Sequence, residues 1–168
     1  DRPQRADSAG EDKRAKVTAY LLDWQEGEQE RKRPAVVICP GGGYRRLSPR
    51  EGEPVAMEYL AMGYHAFVLW YTVAPGRFPQ GVLELASLVD HIRDHGEEWG
   101  VDPEKIVVSG FSAGGHLACS LGVFWNREFV YGPIGRRAQE IRPDGMILCY
   151  PVISSGEYCH PGSFEHLL

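Results

Sequence analysis

The apolar positions of this chain fall into short unbroken runs separated by stretches with helical spacing. Ala35–Cys39 (AVVIC), His65–Tyr71 (HAFVLWY), Ile106–Val108 and Gly145–Tyr150 (GMILCY) are rich in β-branched and aromatic side chains and show no polar alternation. Such runs predict strands buried on both faces of a parallel sheet. A further strand is predicted over Val17–Trp24, turning at Glu26-Gly27-Glu28. A helix is predicted over Glu53–Met62, with Pro54 in its first turn and Gly63 just past its end. After Pro79, the residues Val82, Leu85, Ala86, Val89 and Ile92 recur on one helical face. His91, Arg93, Asp94 and His95 close that helix, where the dipole favours cations. Val101-Asp102-Pro103-Glu104 reads as a turn, Ala113 to about Phe124 as a helix, and Asn126–Pro143 as polar and irregular. Strands alternating with helices in this way define an α/β fold with a mostly parallel sheet.

Length and composition fit this picture. The 168 residues are 43% apolar and 24% charged, the balance of a globular protein. Residues 1–15 are polar without a period and are expected to form a mobile arm ahead of one domain over 16–168. The formal charge of -5 disfavours nucleic acid as a partner, since polyanions are attracted by clustered Lys and Arg. Arg31-Lys32-Arg33 sits next to Glu26, Glu28 and Glu30 and reads as a solvated turn. No apolar run is long enough to span a bilayer, so no membrane partner is expected. The N-terminus has no initiator Met and no apolar signal core, which leaves the cytoplasm as the expected compartment for a processed or trimmed chain. Cys39, Cys119, Cys149 and Cys159 lack Cys-x-x-Cys spacing and are expected to be free, buried thiols rather than disulfides or metal ligands.

The chemistry is concentrated in Val107-Val108-Ser109-Gly110-Phe111-Ser112-Ala113-Gly114-Gly115-His116. Here a strand meets a helix through Gly-x-Ser-x-Gly. A turn this sharp strains the serine backbone, is tolerated only with small flanking residues, and lifts the hydroxyl clear of the sheet. It also sets Ser112 at a helix N-terminus, where free N–H groups stabilise developing negative charge. Ser112 is the candidate nucleophile.

Pro40-Gly41-Gly42-Gly43-Tyr44 follows a buried strand directly. Acyl transfer needs N–H donors aimed at the incipient oxyanion, and glycines let a backbone come close with its N–H groups turned inward. The candidate donors are the amides of Gly42, Gly43 and Ala113. The alternatives are a flexible glycine loop or a phosphate cradle. The cradle would need Gly-Lys-Ser/Thr where the chain has Tyr44-Arg45-Arg46. This chemistry calls for no cofactor and no metal.

Together, PGGGY and GFSAGGH resemble the acetyl-esterase and carbohydrate-esterase branch of the α/β-hydrolases, near the hormone-sensitive-lipase-like group. Trp70-Tyr71-Thr72-Val73-Ala74-Pro75 with Phe78-Pro79, and Val101-Asp102-Pro103-Glu104-Lys105-Ile106, are similar to segments of that group. The resemblance covers roughly residues 17–155. It implies a three-layer αβα α/β-hydrolase fold, of which this chain is the N-terminal portion, and hydrolysis of short acyl esters, often acetyl groups on sugars. Pro40 stands where the lipase-like group has His, which favours the acetyl-esterase branch.

A serine nucleophile also needs a histidine base oriented by a carboxylate, and in this fold both follow the serine in the chain. The short remainder after Tyr150 offers Glu157, His160, Glu165 and His166 but no further buried strand. Asp144 precedes its strand, at the edge opposite to ligand sites. His116 is expected to pack beneath the turn, and His91 and His95 to lie on a helix surface. The resemblance implies that the base and acid lie in a further segment of about a hundred residues, so the chain is expected to be a fragment, its remainder in a separate chain or removed. Such a fragment is expected to leave a sheet edge and apolar helix faces uncovered, to associate, and to be inactive alone.

The leading expectation is therefore a serine carboxylic-ester hydrolase acting on a small acylated substrate, acetylated sugar foremost. Tyr44 and Tyr71 either line its pocket or are core aromatics with satisfied hydroxyls. A peptidase of the same fold and a non-catalytic binding protein that retained the serine turn are the other readings.

Overall fold

The computed structural model describes residues 15–23 and 32–168. The expected arm over 1–15, apart from Ala15, lies outside those residues, as do Trp24, the turn at Glu26-Gly27-Glu28, and Arg31. Among the described residues one sheet has the order β1-β3-β2-β4-β5. Its strands are β1 (Lys16–Tyr20), β2 (Arg33–Cys39), β3 (His65–Trp70), β4 (Val101–Phe111) and β5 (Gly145–Cys149). Only β1 runs antiparallel to its neighbour; the other three pairings are parallel. The helices are α1 (Glu53–Ala61), α2 (Gln80–Asp94), α3 (Gly96–Trp99), α4 (Ala113–Phe124), α5 (Glu128–Ile134) and α6 (Pro161–Leu167).

Alternation along the central strands divides the core into two layers. Ala35, Val37 and Cys39 of β2 and Phe67 and Leu69 of β3 pack with Leu85, Ala86, Val89 and Ile92 of α2 and Leu117 and Leu121 of α4. Val36, Ile38, Ala66 and Val68 point the other way, onto Ala56, Val55 and Tyr59 of α1. The unbroken apolar runs thus reflect cover on both faces, and the apolar stripe expected on α2 is buried throughout.

The structure departs from the sequence reading in five places. β1 ends at Tyr20 rather than continuing to Trp24. Residues 101–105 belong to β4 instead of forming a separate turn, because the ladder with β2 passes from Arg33↔Val101 to Ala35↔Ile106. The extra residues bulge out, and the Asp102 side chain accepts the Glu104 N–H at 3.1 Å, so turn chemistry is present inside a strand. The supposedly irregular stretch 126–143 contains α5, whose Val130 is fully buried and whose end is capped by left-handed Gly135 (φ 72°). Pro133 near its C-terminus removes one hydrogen bond without preventing the helix. β5 is not buried: as the last strand it bonds only β4, and Met146 and Ile147 are 44% and 41% exposed. After it the chain forms α6, which packs back through Phe78 N–H donating to Leu167 C=O at 2.9 Å.

Candidate active site

β4 passes into α4 through one residue, Ser112, with φ 53° and ψ -116°. An L-residue holds this conformation at a cost of about 1–3 kcal/mol, offset by surrounding structure. Here the structure holds it from both sides. The Ser112 N–H donates to Cys149 C=O at 3.0 Å, and its own C=O accepts from the N–H groups of His116 (3.0 Å) and Val152 (3.1 Å). The turn also depends on a missing side chain, since a Cβ at Gly114 would lie 2.0 Å from the Cys39 carbonyl oxygen. Ser112 is half-buried, and its hydroxyl makes no hydrogen bond to any described residue.

β2 and β4 are neighbours, with Cys39 opposite Gly110, so the loops leaving their carboxyl ends lie side by side. The Gly41 backbone runs against the serine: a Cβ there would stand 2.7 Å from the Phe111 carbonyl oxygen and 3.1 Å from Ser112 Cβ. Left-handed backbone follows at Gly42 (φ 139°), Gly43 (φ 66°) and Tyr44 (φ 57°). The carbonyls turn away from the serine into the loop. Gly42 C=O accepts from Arg45 and Arg46, Gly41 C=O from Ser48, and Tyr44 C=O from Ala74.

Tyr44 and Tyr71 lie in the core, 5% and 2% exposed, with both hydroxyls satisfied. The Tyr71 hydroxyl donates to Pro40 C=O at 2.7 Å. Tyr44 Oη lies 2.8 Å from Nδ1 of His116. Burial pushes the Tyr44 phenol well up and the His116 imidazole down, so the hydrogen bond joins two neutral groups. Tyr44, Phe78, Leu117 and Leu167 also line a small cavity behind the loop.

The remaining titratable candidates lie elsewhere. His95 stacks on Trp99, with ring centroids 4.8 Å apart, and His91 meets His95 tilted at 4.1 Å and Trp99 edge-on at 5.3 Å. Asp144 Oδ2 accepts from the Ile106 N–H (3.0 Å) and Arg93 Nη2 (3.1 Å), at the opposite end of the strands from Ser112. His160 precedes α6 and pairs through Nδ1 with Ser163 Oγ at 2.9 Å; its Cε1 is 4.0 Å from where a Cβ on Gly43 would stand. His166 Nδ1 is buried without a partner. All four cysteines are free, although only Cys39 is fully buried. Among the described residues no cluster of His, Cys, Asp or Glu could hold a metal ion.

Sequence reasoning passed over Glu51. It sits in the 3-10 turn Pro49–Glu51 and accepts the Gly41 N–H through Oε2 and the Tyr150 O–H through Oε1, both at 2.8 Å. Only its spacing ahead of Pro54 could have drawn attention to it, and that spacing carries no chemistry.

A mostly parallel sheet whose adjacent central strands bring a strained serine and a glycine loop to one edge defines an α/β-hydrolase fold. The BD-FAE family model matches residues 22–143, and the chain belongs to that family. It is similar to endo-1,4-beta-xylanase B of Butyrivibrio fibrisolvens, with 37% identity over 82% of this chain and 22% of the relative. It is also similar to an acetylxylan esterase of Xylanibacter ruminicola, with 31% identity over 88% of this chain and 27% of that protein. Among solved structures, the acetyl ester-xyloside bifunctional hydrolase of Caldicellulosiruptor lactoaceticus superposes with a TM-score of 0.78 at 36% identity. That match covers 90% of this chain and 54% of the other. The chain thus spans about a quarter of those two relatives and about half of that structure.

Proposed function

We propose that the chain carries the nucleophile half of a carboxylic-ester hydrolase that removes short acyl groups, acetyl foremost, from small or carbohydrate substrates. The observation behind this reading is the contact between Ser112, held at φ 53° at the start of α4, and the backbone of Gly41. In the proposed cycle Ser112 Oγ attacks the ester carbonyl while its proton passes to a histidine base. The carbonyl oxygen becomes an oxyanion that the amides of Gly42, Gly43 and Ala113 stabilise. The tetrahedral species expels the alcohol, which takes up the proton, and water then hydrolyses the acyl-enzyme. Among the described residues no histidine is hydrogen-bonded to the Ser112 hydroxyl. The sugar-ester assignment draws on what the names of the two esterase relatives say of those proteins.

The test is treatment of the folded protein, together with the further segment expected to supply base and acid, with a fluorophosphonate, followed by mapping of the adduct. Stoichiometric modification at Ser112, lost in Ser112→Ala, is expected. An intact fold that takes no label would make this a binding module. Acetyl esters compared with dipeptides as substrates separate esterase from peptidase.

A further inference from the structure

The glycine loop and the turn after β5 flank Ser112 from opposite sides, and the carboxylate of Glu51 touches both. One oxygen accepts the Gly41 N–H and the other the Tyr150 O–H. The two partners are distant in sequence from each other and lie beyond the ends of non-adjacent strands, β2 and β5. Both need external restraint. Gly41 is followed by three residues of positive φ, and Tyr150 itself is a non-glycine residue at φ 38°. Tyr150 directly follows Cys149, whose carbonyl receives the Ser112 N–H. Restraint of Tyr150 is therefore restraint of the serine turn.

We propose that Glu51 is a positioning residue: its carboxylate ties the oxyanion loop to the turn that holds the serine, fixing the distance between donors and nucleophile. The inference rests on the reading of Ser112 as nucleophile. It adds a division of labour among the loop amides. The Gly41 N–H is occupied by Glu51, which leaves the next two amides, Gly42 and Gly43, as the donors available to substrate.

Glu51→Ala removes both tethers, whereas Glu51→Gln can keep both, its carbonyl accepting from Gly41 and its NH2 donating to Tyr150 Oη. On the full chain, Glu51→Ala is expected to make the Gly41 amide exchange with solvent faster and to slow fluorophosphonate labelling of Ser112 by about tenfold or more. Glu51→Gln is expected to restore both measurements to within about threefold of wild type. The Tyr150 ring signal, titrated by NMR, should show its phenol released in both variants from the upward push of its hydrogen bond to the Glu51 carboxylate and of that group's charge. If Glu51→Ala does not fold, Tyr150→Phe decides on an exposed ring: slower labelling supports the tether, and an unchanged rate overturns it. Wild-type exchange at Gly41 in folded Glu51→Ala, or labelling at the wild-type rate, overturns the proposal. Absence of labelling in the wild type counts against the nucleophile assignment alone, because Gly41 exchange still reports on the tether.

Discussion

The Tyr44 hydroxyl of the glycine loop is hydrogen-bonded to Nδ1 of His116 on the first turn of α4, across 2.8 Å. This bond joins the loop to the helix from beneath, while Glu51 joins the loop to the β5 turn from above the strand ends. The two rings also meet edge to face, with centroids 5.8 Å apart. Replacing Tyr44 by Phe keeps the packing and leaves Nδ1 of His116 without this partner. Stability is expected to fall by about 1–2 kcal/mol. Urea denaturation that gives the same midpoint for Tyr44→Phe and wild type would show the bond to be unimportant.

Two histidines are held neutral by burial, which sets a pH dependence. His65 is fully buried, with Nδ1 accepting from the Leu22 N–H and Nε2 facing Gly100 C=O. Both His65 and His116 are pulled below the ordinary value of 6.5, chiefly by desolvation. Above that value both folded and unfolded chains are neutral at these positions, and the contribution is constant. As pH falls through 6.5 the unfolded chain takes up protons that the folded chain refuses, so stability drops until the lowered folded values are reached. Denaturation midpoints measured from pH 7.5 down to 5 should therefore decline, and less steeply in His65→Gln. A flat profile would contradict the assignment.

Ser112 trades stability for position. Glycine tolerates φ 53° without a Cβ penalty, so Ser112→Gly is expected to stabilise the chain by about 1 kcal/mol while abolishing labelling. A lower melting temperature in Ser112→Gly would mean that the serine backbone is not strained.

Gly114 allows no side chain. Its Cβ would lie 2.0 Å from one backbone carbonyl oxygen and 2.6 Å from the next, those of Cys39 and Pro40. Backbone cannot rotate aside as a side chain can, so Gly114→Ala is expected to cost about 3 kcal/mol or more. Recovery of soluble Gly114→Ala with wild-type stability would show that β2 and α4 have more freedom than this contact implies.

The outer edge of β5 has no strand partner among the described residues, and Met146 and Ile147 are exposed there. An unpaired apolar edge recruits further strands. Ile147→Lys is expected to raise the monomer fraction in sedimentation runs at high protein concentration. If the wild type is already monodisperse there, the edge is not adhesive.

The parts of the fold legible in the sequence were those whose determinants are local. β2, β3 and the middle of β4 show as unbroken apolar runs, and α2 shows as a stripe. The serine turn and glycine loop show because their backbone conformations admit few residue types. What escaped depends on neighbours. Met146 and Ile147 have the same character as Val36 and Val37, and only their place at the end of the sheet separates exposed from buried. Pro103 and Asp102 are genuine turn residues that the flanking ladder absorbs as a bulge. The stretch 126–143 reads as polar and irregular, and the burial of Val130 secures a helix there despite Pro133. Glu51 carries no local signal, because its partners are a backbone amide ten residues earlier and a hydroxyl ninety-nine residues later.

The side-by-side placement of β2 and β4 governs how the site responds to heat. Cys39 and Gly110 share a ladder position, so a bend or ripple of the sheet carries glycine loop and serine together as passengers of one hydrogen-bonded pair. The spacing between them is thereby insulated from motions that begin at β1, the strand farthest from the serine. Fraying of β1 should leave the alignment of attacking oxygen and amides intact, whereas fraying of β5 should disturb it, because Cys149 and Tyr150 hold the serine turn.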